Sequence, residues 1–334
     1  NFFLFITIYC IAANKNLQNK PNTVVNMLDR ETIRSFMKVA KYSNFSKAAE
    51  VLHKTPAAIS YRIKVLEDDM GTPLFTRTTR SVHLTPAGEH LLEQCQKWLD
   101  WIETMPKELK QIESGIERQV NIVINNLVYD QEAVSGLILL LNEKFPFTQI
   151  NITQAVYMGV WDALLNQDYH FAIGVPGRDT IDNQVIMNYL GSINWSFVTS
   201  PDHPLTSKEG TLSESQLRQY PAINIEDTSQ KINKRTGWLL RDQKEIKVPD
   251  LMTKVACHMN GSGIGFLPTK LCHDYIEQGA LVERQVQWNR TPSPLSLGWR
   301  TDSKGHVTQW IIDLFEENHP TIQRFSKHLD YMTH

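Results

Sequence analysis

Phe45-Ser46-Lys47-Ala48-Ala49-Glu50-Val51-Leu52-His53-Lys54-Thr55-Pro56-Ala57-Ala58-Ile59-Ser60-Tyr61-Arg62-Ile63-Lys64-Val65-Leu66-Glu67 is the stretch whose reading decides the N-terminal fold. It divides at the tight turn His53-Lys54-Thr55. Before the turn, Ser46 is expected to cap a short helix from Lys47 to about His53, in which Ala48 and Ala49 admit a second helix at close range. After it, Pro56 suits the first turn of a helix, where its missing N–H is not needed. That helix is expected to end at about Met70, before Gly71. Ile59, Ile63 and Leu66 recur at helical spacing and form its buried stripe, leaving Ser60, Tyr61, Arg62 and Lys64 outside it. Two short helices with a tight turn, the second displaying these polar side chains, fit the major groove of duplex DNA. N-terminal side chains then meet base edges and flanking cations meet phosphates.

Working outward, Asp29 is expected to cap a helix to about Lys41, with Ile33, Phe36, Met37 and Ala40 on one apolar stripe. Downstream, Pro73 to Arg77 and Val82 to Leu84 flank Thr78-Thr79-Arg80-Ser81. This reads as a hairpin with a basic tip, a wing whose Arg77 and Arg80 reach phosphates or the minor groove. Thr85 then caps a long helix with Pro86 at its first position. The candidate DNA contacts are Thr55, Pro56, Ala57, Ser60, Tyr61, Arg62, Lys64, Arg77 and Arg80. A surface three-helix bundle with scattered charge is the plain alternative. The full order of helix, helix-turn-helix, basic hairpin and long helix weighs against it.

This stretch resembles the winged helix-turn-helix domain of the LysR-type transcriptional regulators. The resemblance is carried by Phe45 to Leu52, Ile59 to Glu67, Gly71-Thr72-Pro73-Leu74-Phe75-Thr76-Arg77 and Leu84-Thr85-Pro86-Ala87-Gly88. Family members often open the recognition helix with Gln-Pro-Ala and follow the Ser with Arg. Here Pro56 and Ala57 stand in place of Gln-Pro and Tyr61 in place of Arg, so base preference does not carry over.

From Pro86 to about Met105, Leu91, Leu92, Cys95, Trp98, Leu99, Ile102 and Met105 give a helix with one wide apolar face. Pro106 is expected to restart or kink it, with Leu109, Ile112 and Ile116 continuing the pattern. A partner chain is the natural cover for that face, as in a coiled-coil dimer; packing on the chain's own body is the alternative. The resemblance supports a linker helix of a homodimer or homotetramer.

Beyond it, apolar strands alternate with helical segments. Strands are expected at Val120–Ile124, Gln149–Ala155, Phe171–Val175, Trp195–Thr199, Ala222–Ile225, Ile264–Leu267 and Leu295–Trp299. Helices between them imply a parallel sheet covered on its faces. Ser200-Pro201-Asp202-His203-Pro204-Leu205, Gly261 to Pro268 and Gly279-Ala280-Leu281-Val282 resemble the family's effector domain. The resemblance implies a two-lobed, periplasmic-binding-protein-like α/β body that holds a small-molecule effector between its lobes. Ligands of open α/β sheets sit beyond the C-terminal strand ends, near helix N-termini. That rule selects Asn125, Asn126, Tyr157, Met158, Gly159, Trp161, Gly174, Val175, Asn224, Glu226 and Phe266, with Gly174 and Val175 at the expected crossover. Paired Asn side chains both donate and accept, which suits a ureide or amide. Against this, Asn125-Asn126 also makes a plain turn, and Tyr157 and Trp161 plain core. Within the family, Gln119 to Leu127, Tyr157 to Asp162, Asn224 to Asp227 and Pro292 to Leu297 resemble activators of allantoin and ureide (purine-nitrogen) catabolism. That likeness implies a cytoplasmic protein whose partners are promoter DNA, a metabolite and RNA polymerase.

The expected organisation is a lead over 1–26, a DNA-binding domain over 27–85, a linker helix over 86–117 and an effector domain over 118–334. The 334 residues carry 34 Lys and Arg against 36 Asp and Glu, net −2. The charge is unevenly divided: +3 over residues 27–90, +2 over 1–26 and −7 over the rest. A small basic head on an acidic body is a two-module pattern. The apolar run Phe2 to Ala13 is too short for a span of about 20 residues, and no basic residue precedes it as a signal peptide requires. The lead is read as sequence upstream of a start at Met27, or as a disordered or membrane-touching tail. Four widely spaced cysteines make neither a disulfide framework nor a zinc ribbon.

No GxSxG, HExxH or P-loop motif occurs. Gly261-Ser262-Gly263-Ile264-Gly265 follows a helix and precedes a strand, the reverse of a dinucleotide fingerprint. Cys257-His258 and Cys272-His273 are adjacent pairs in helices, where neighbours point apart. No catalytic residue, cofactor or metal is expected. The rival reading is an enzyme or small-molecule binder built on the two-lobed body.

Overall fold

The computed structural model describes residues 28–77, 81–303 and 305–330. The expected lead and Arg80 lie outside the described residues. The chain divides into two compact units, one up to Glu108 and one from Leu109.

In the first unit, Asp29 caps α1 (Arg30–Tyr42), its Oδ1 accepting from the Thr32 N–H at 2.6 Å. Ser43 ends α1 in the left-handed region. The next helix, α2 (Phe45–Val51), is capped not by Ser46 but by Asn44, whose Oδ1 accepts from Lys47 N–H at 2.9 Å. Asn44 has the extended backbone a cap needs, and Ser46 already lies in the first turn. Thr55 caps α3 (Pro56–Met70), and Gly71 closes it at φ 65°.

Ile59, Ile63 and Leu66 are buried as their spacing demands, against Ile33, Phe36, Val39, Ala48 and Ala49. Met37 and Ala40, expected on the α1 stripe, are only partly buried at its margin; Val39 takes the central place. The wing, β1 (Phe75–Arg77) and β2 (Val82–Leu84), is antiparallel. Glu67 ties it to α3 by accepting the Leu74 and Phe75 N–H groups at 2.8 and 3.0 Å. A Cβ at Gly88 would stand 2.1 Å from the Leu74 carbonyl oxygen, so that position requires glycine.

The long helix α4 (Pro86–Glu113) runs unbroken through Pro106 rather than restarting there. At 1.5 Å per residue it extends about 40 Å. Leu91, Leu92, Cys95, Trp98 and Leu99 pack on the head's core, while Trp101, Leu109 and Ile112 are exposed.

The second unit holds three sheets in two lobes. In the first lobe the order is β4 (Gln149–Ala155), β3 (Gln119–Asn125), β5 (Phe171–Pro176), β12 (Ser293–Arg300), β6 (Val185–Ile193). β3, β4 and β5 are parallel, but β12 runs antiparallel to both its neighbours, so the sheet is mixed. Helices α5 (Gln131–Lys144) and α6 (Met158–Asn166) connect the parallel strands. The second lobe pairs β10 (Gly265–Pro268), β7 (Trp195–Thr199) and β11 (Val282–Glu283), and separately β8 (Ala222–Ile225) with β9 (Glu245–Val248). A bridge between Ala222 and Ile264 links the two sets. Its helices are α7 (Glu214–Leu217), α8 (Leu251–Met259) and α9 (Thr269–Glu277), while α10 (His306–Glu316) and a 3₁₀ turn, Pro320–Ser326, return to the first lobe.

The chain crosses between lobes at Asn194, between β6 and β7, and again over residues 284–292. Gly174 and Val175, expected at a crossover, lie within β5 of the first lobe.

Candidate functional site

On α3 the structure separates the expected DNA contacts into two groups. Thr55, Pro56, Ala57, Tyr61 and Lys64 are exposed, with Tyr61 at 72%. The Lys64 ammonium makes no hydrogen bond or ion pair among the described residues. The Thr55 hydroxyl is occupied, accepting from Ala58 N–H at 3.2 Å. Arg62 points elsewhere: its guanidinium donates to the Asp29 carboxylate at 3.2 Å, Thr32 Oγ1 at 3.0 Å and Glu31 Oε2 at 3.0 Å. Burial pulls the Asp29 carboxyl up, but hydrogen bonds from Thr32 and the Arg62 charge outweigh it and hold the pKa below its ordinary value. Glu31 is likewise held down, first by Lys54 and then by Arg62. Arg62 therefore joins α3 to the start of α1. Arg77 lies 4.4 Å over the Phe45 ring and donates to Ser60 Oγ and to Glu67 at 3.3 and 3.4 Å. It braces the wing against α3, still 40% exposed at the side chain.

In the second unit, a cleft between the lobes has an inner and an outer part. Asn125, Asn126, Tyr157 and Phe266 of the expected residues line the inner part, with Trp195, Leu251 and Lys254. It measures about 10 Å³, room for one water-sized sphere. The outer part, about 540 Å³, shares Asn125, Leu127 and Tyr157 and adds Arg235, Trp238 and Arg290. Asn125 is already engaged, donating to the Gly174 carbonyl at 2.7 Å and accepting from Leu127 N–H at 3.0 Å. Asn126 is buried and its Oδ1 has no donor.

The other expected residues are not brought to the cleft lining. Trp161 is core of the first lobe, its Nε1 donating to the Pro176 carbonyl at 3.0 Å. Val175 is core as well, and Gly174 faces Asn125 and Val128. Asn224 donates to the Trp238 carbonyl and to Glu245. Glu226 is exposed and pairs with Lys234 at 3.6 Å.

Met158 and Gly159 show why the helix-terminus rule failed here. Their N–H groups, at the start of α6, both point to the Asp227 carboxylate at 3.2 Å. The same carboxylate accepts from Ser229 N–H at 2.9 Å and Arg235 N–H at 2.7 Å. Asp227 follows β8 of the second lobe, so the anion at this helix N-terminus is the protein's own. Tyr157 just before is held at φ 49°, ψ −120°. A side chain in that region costs on the order of 1–3 kcal/mol, and the clamped N–H groups that follow hold it there.

Lys254, Asp227, Trp195, Arg235 and Arg290 were not singled out by sequence. One signal was present. Lys254 falls between Leu251 and Val255 and four residues before His258, on the buried face of α8. A lysine on a buried stripe is unusual without a partner. Burial, then the Arg290 charge, push its pKa down to about 7. His258 is buried too, its pKa pushed down to about 3 by burial and by Lys254.

The Gly261-Ser262-Gly263 segment acts as turn chemistry: Gly261 closes α8 at φ 70°, and a Cβ at Gly263 would meet the Pro221 carbonyl at 2.5 Å. Cys95, Cys257 and Cys272 are unpaired. No helix among the described residues is long and apolar enough to cross a membrane.

Comparison with known proteins gives two matching family models. The bacterial regulatory helix-turn-helix protein model of the lysR family covers residues 31–89, and the LysR substrate binding domain model covers 114–320. The HTH-type transcriptional activator AllS of Salmonella typhimurium is 50% identical over 299 residues, 90% of this chain and 97% of that protein. AllS of Klebsiella pneumoniae is 55% identical over 256 residues, 77% of this chain and 95% of that protein. Among solved structures, an OxyR cysteine mutant of Corynebacterium glutamicum shares the fold at a TM-score of 0.54 and 18% identity, covering 96% of this chain and all of that one. With both models matched over the helix-turn-helix head and the two-lobed body, the chain belongs to the LysR family of bacterial helix-turn-helix transcriptional regulators, proteins that bind DNA and a small-molecule effector.

Proposed function

We propose that this protein is a ligand-responsive activator of genes for allantoin and related ureide (purine-nitrogen) catabolism. The observation that carries the reading is identity of 50–55% with activators named AllS over most of both chains. It is supported by the local likeness of Gln119–Leu127 and Tyr157–Asp162 to ureide-pathway activators.

In this reading α3 enters the major groove, with Tyr61 and the Thr55–Ala57 turn at base edges and Lys64 on phosphate. The wing adds Arg77 and Arg80. Two copies joined through the apolar face of α4, as a dimer or a pair of dimers, place two recognition helices on two half-sites. Trp101, Leu109 and Ile112 are the uncovered part of that face. A ureide-class effector enters the interlobe cleft, shifts the population of lobe arrangements, and the assembled subunits re-pack on bound DNA so that RNA polymerase is engaged. The protein works in the cytoplasm and acts by binding rather than catalysis.

The test is a footprint and gel shift on the protein's own promoter region at several salt concentrations, with transcription by purified polymerase with and without ureides. We expect a protected site, and transcript that rises with one ureide. Only nonspecific, fully salt-labile binding would favour the rival reading of a ligand binder or enzyme on the same body.

A further inference from the structure

We infer that the interlobe cleft takes a small carboxylate that also carries N–H donors, its carboxylate received by Lys254 and an N–H by the side-chain oxygen of Asn126. The inference rests on the effector reading above and adds the chemistry of the ligand.

Lys254 is 3% exposed and lines the inner cavity beside Ile225, Leu251 and Phe266. Its ammonium makes no hydrogen bond or ion pair among the described residues. No Asp or Glu lines either part of the cleft. The charged groups there are Lys254, Arg235 and Arg290, all cations. Arg290 stacks 3.7 Å over the ring of Trp195, which itself lines the inner cavity. A buried ammonium with two further cations around the same cleft is unfavourable by itself and becomes favourable around an anion. The Asn126 oxygen is buried without a donor, which asks for an N–H or O–H on the same ligand.

The inner cavity as it stands holds about one water, so the carboxylate enters that space only as the lobes adjust, while the outer cleft of about 540 Å³ takes the bulk of the ligand. A ligand with its carboxylate inward and its amide-like N–H groups beside Asn126 uses both. A purely structural lysine would instead lend its aliphatic stem to the core, and its replacement would leave ligand response intact.

The test uses full-length protein with three probes in calorimetry and thermal shift. Allantoate has a carboxylate and ureido N–H groups, allantoin has the N–H groups without a carboxylate, and glyoxylate has a carboxylate without N–H groups. We expect allantoate to bind at least about tenfold more tightly than either of the others. Lys254→Met should weaken allantoate on the order of 100-fold. It should also leave the ligand-free melting temperature unchanged or raise it by about 2–4 °C. Arg290→Gln, which leaves the core untouched, should weaken allantoate about three- to tenfold and decides the matter if Lys254→Met folds poorly.

Allantoin binding as tightly as allantoate, with both variants unaffected, overturns the inference and leaves the activator reading standing. Binding by none of the three, with the promoter footprint retained, overturns the inference together with the ureide part of that reading.

Discussion

The recognition surface of the head and the cleft of the body handle positive charge in opposite ways. On the head, Lys64 stands exposed, and Arg62 and Arg77 are half-exposed and held by Asp29, Glu31 and Glu67. In the body, Lys254 is buried with no carboxylate beside it. The difference follows from the ligands. A DNA duplex is a long polyanion that many screened surface charges meet together, each worth little. A small molecule offers one or two groups, so the site must keep its charge out of water, where a single pair is strong. Loss of a charge should therefore be mild and salt-dependent in the head, and severe or even stabilising in the body.

The largest effect is expected at Asp227. Asp227→Ala leaves the N–H groups of Met158, Gly159, Ser229 and Arg235 without their acceptor. We expect a loss of about 3–5 kcal/mol from the body, read in urea unfolding, with ligand response abolished. A loss below about 1 kcal/mol would mean that this carboxylate does not hold the lobes.

Asp130 comes next. It caps α5 and pairs with Arg324 at 3.0 Å and Lys327 at 2.6 Å. Burial raises its pKa, but Lys327, the Ala133 N–H and Arg324 together bring it down to about 2. Because the folded value is depressed, this contribution is complete above the ordinary value of 3.8 and vanishes as pH falls towards 2. The partly exposed partners screen it, so Asp130→Asn should cost about 1–2 kcal/mol at pH 7 and little at pH 2. An equal loss at both pH values would remove the ion pairs from the account.

Lys254 gives the opposite sign. Its folded pKa, about 7, is below its unfolded value, so the buried ammonium weakens the fold below pH 10.5, and stability rises as pH climbs from 7. Binding of a carboxylate should follow the reverse course. As pH rises above 7 the free lysine loses its proton, and affinity should fall by up to about tenfold per pH unit. The neighbouring groups are Arg290, Cys272 and His258. Burial pushes the Cys272 thiol up to about 12 and the His258 imidazole down to about 3, so neither imitates this profile. A flat affinity between pH 6 and about 9 would break the contrast between the two modules.

The smallest effects belong to the head. Lys64→Ala should weaken binding nearly equally on all sequences and reduce the salt slope by about 1. Arg62→Ala should cost about 1 kcal/mol of head stability, since it removes a partly exposed network rather than a free phosphate contact. Tyr61→Ala should alter base preference while thermal unfolding stays within about 0.5 kcal/mol. Equal salt slopes for Lys64→Ala and Tyr61→Ala would show that the division between phosphate and base contacts on α3 is misplaced.

Much of the head was legible because its signals are local. Asp29, Thr55 and Gly71 act on N–H or C=O groups within a few residues, and Ile59, Ile63 and Leu66 follow the helical period. The mistaken cap at Ser46 is an error of two residues between neighbouring polar side chains. The roles of Arg62 and Arg77 were not legible, because their partners, Asp29, Glu31 and Phe45, lie on other elements. In the body, β6 and β9 escaped notice: Asn188 and Gly191 interrupt the first, and charged residues occupy half of the second. β12 was foreseen as a strand, but its antiparallel direction is a property of pairing alone.

By itself, then, the sequence determined the winged helix-turn-helix, the long helix and an α/β body, because caps, turn residues and apolar period act over one or two turns of chain. Only the tertiary structure decided what lines the cleft. Asn126, Tyr157, Trp195, Lys254 and Phe266 come from five separate segments, and Asp227 claims from the second lobe the helix N-terminus that the first lobe offered. Where a carboxylate sits in sequence says nothing of which N–H groups it will reach. That depends on the packing of elements some seventy residues apart, as the span from Met158 to Asp227 shows.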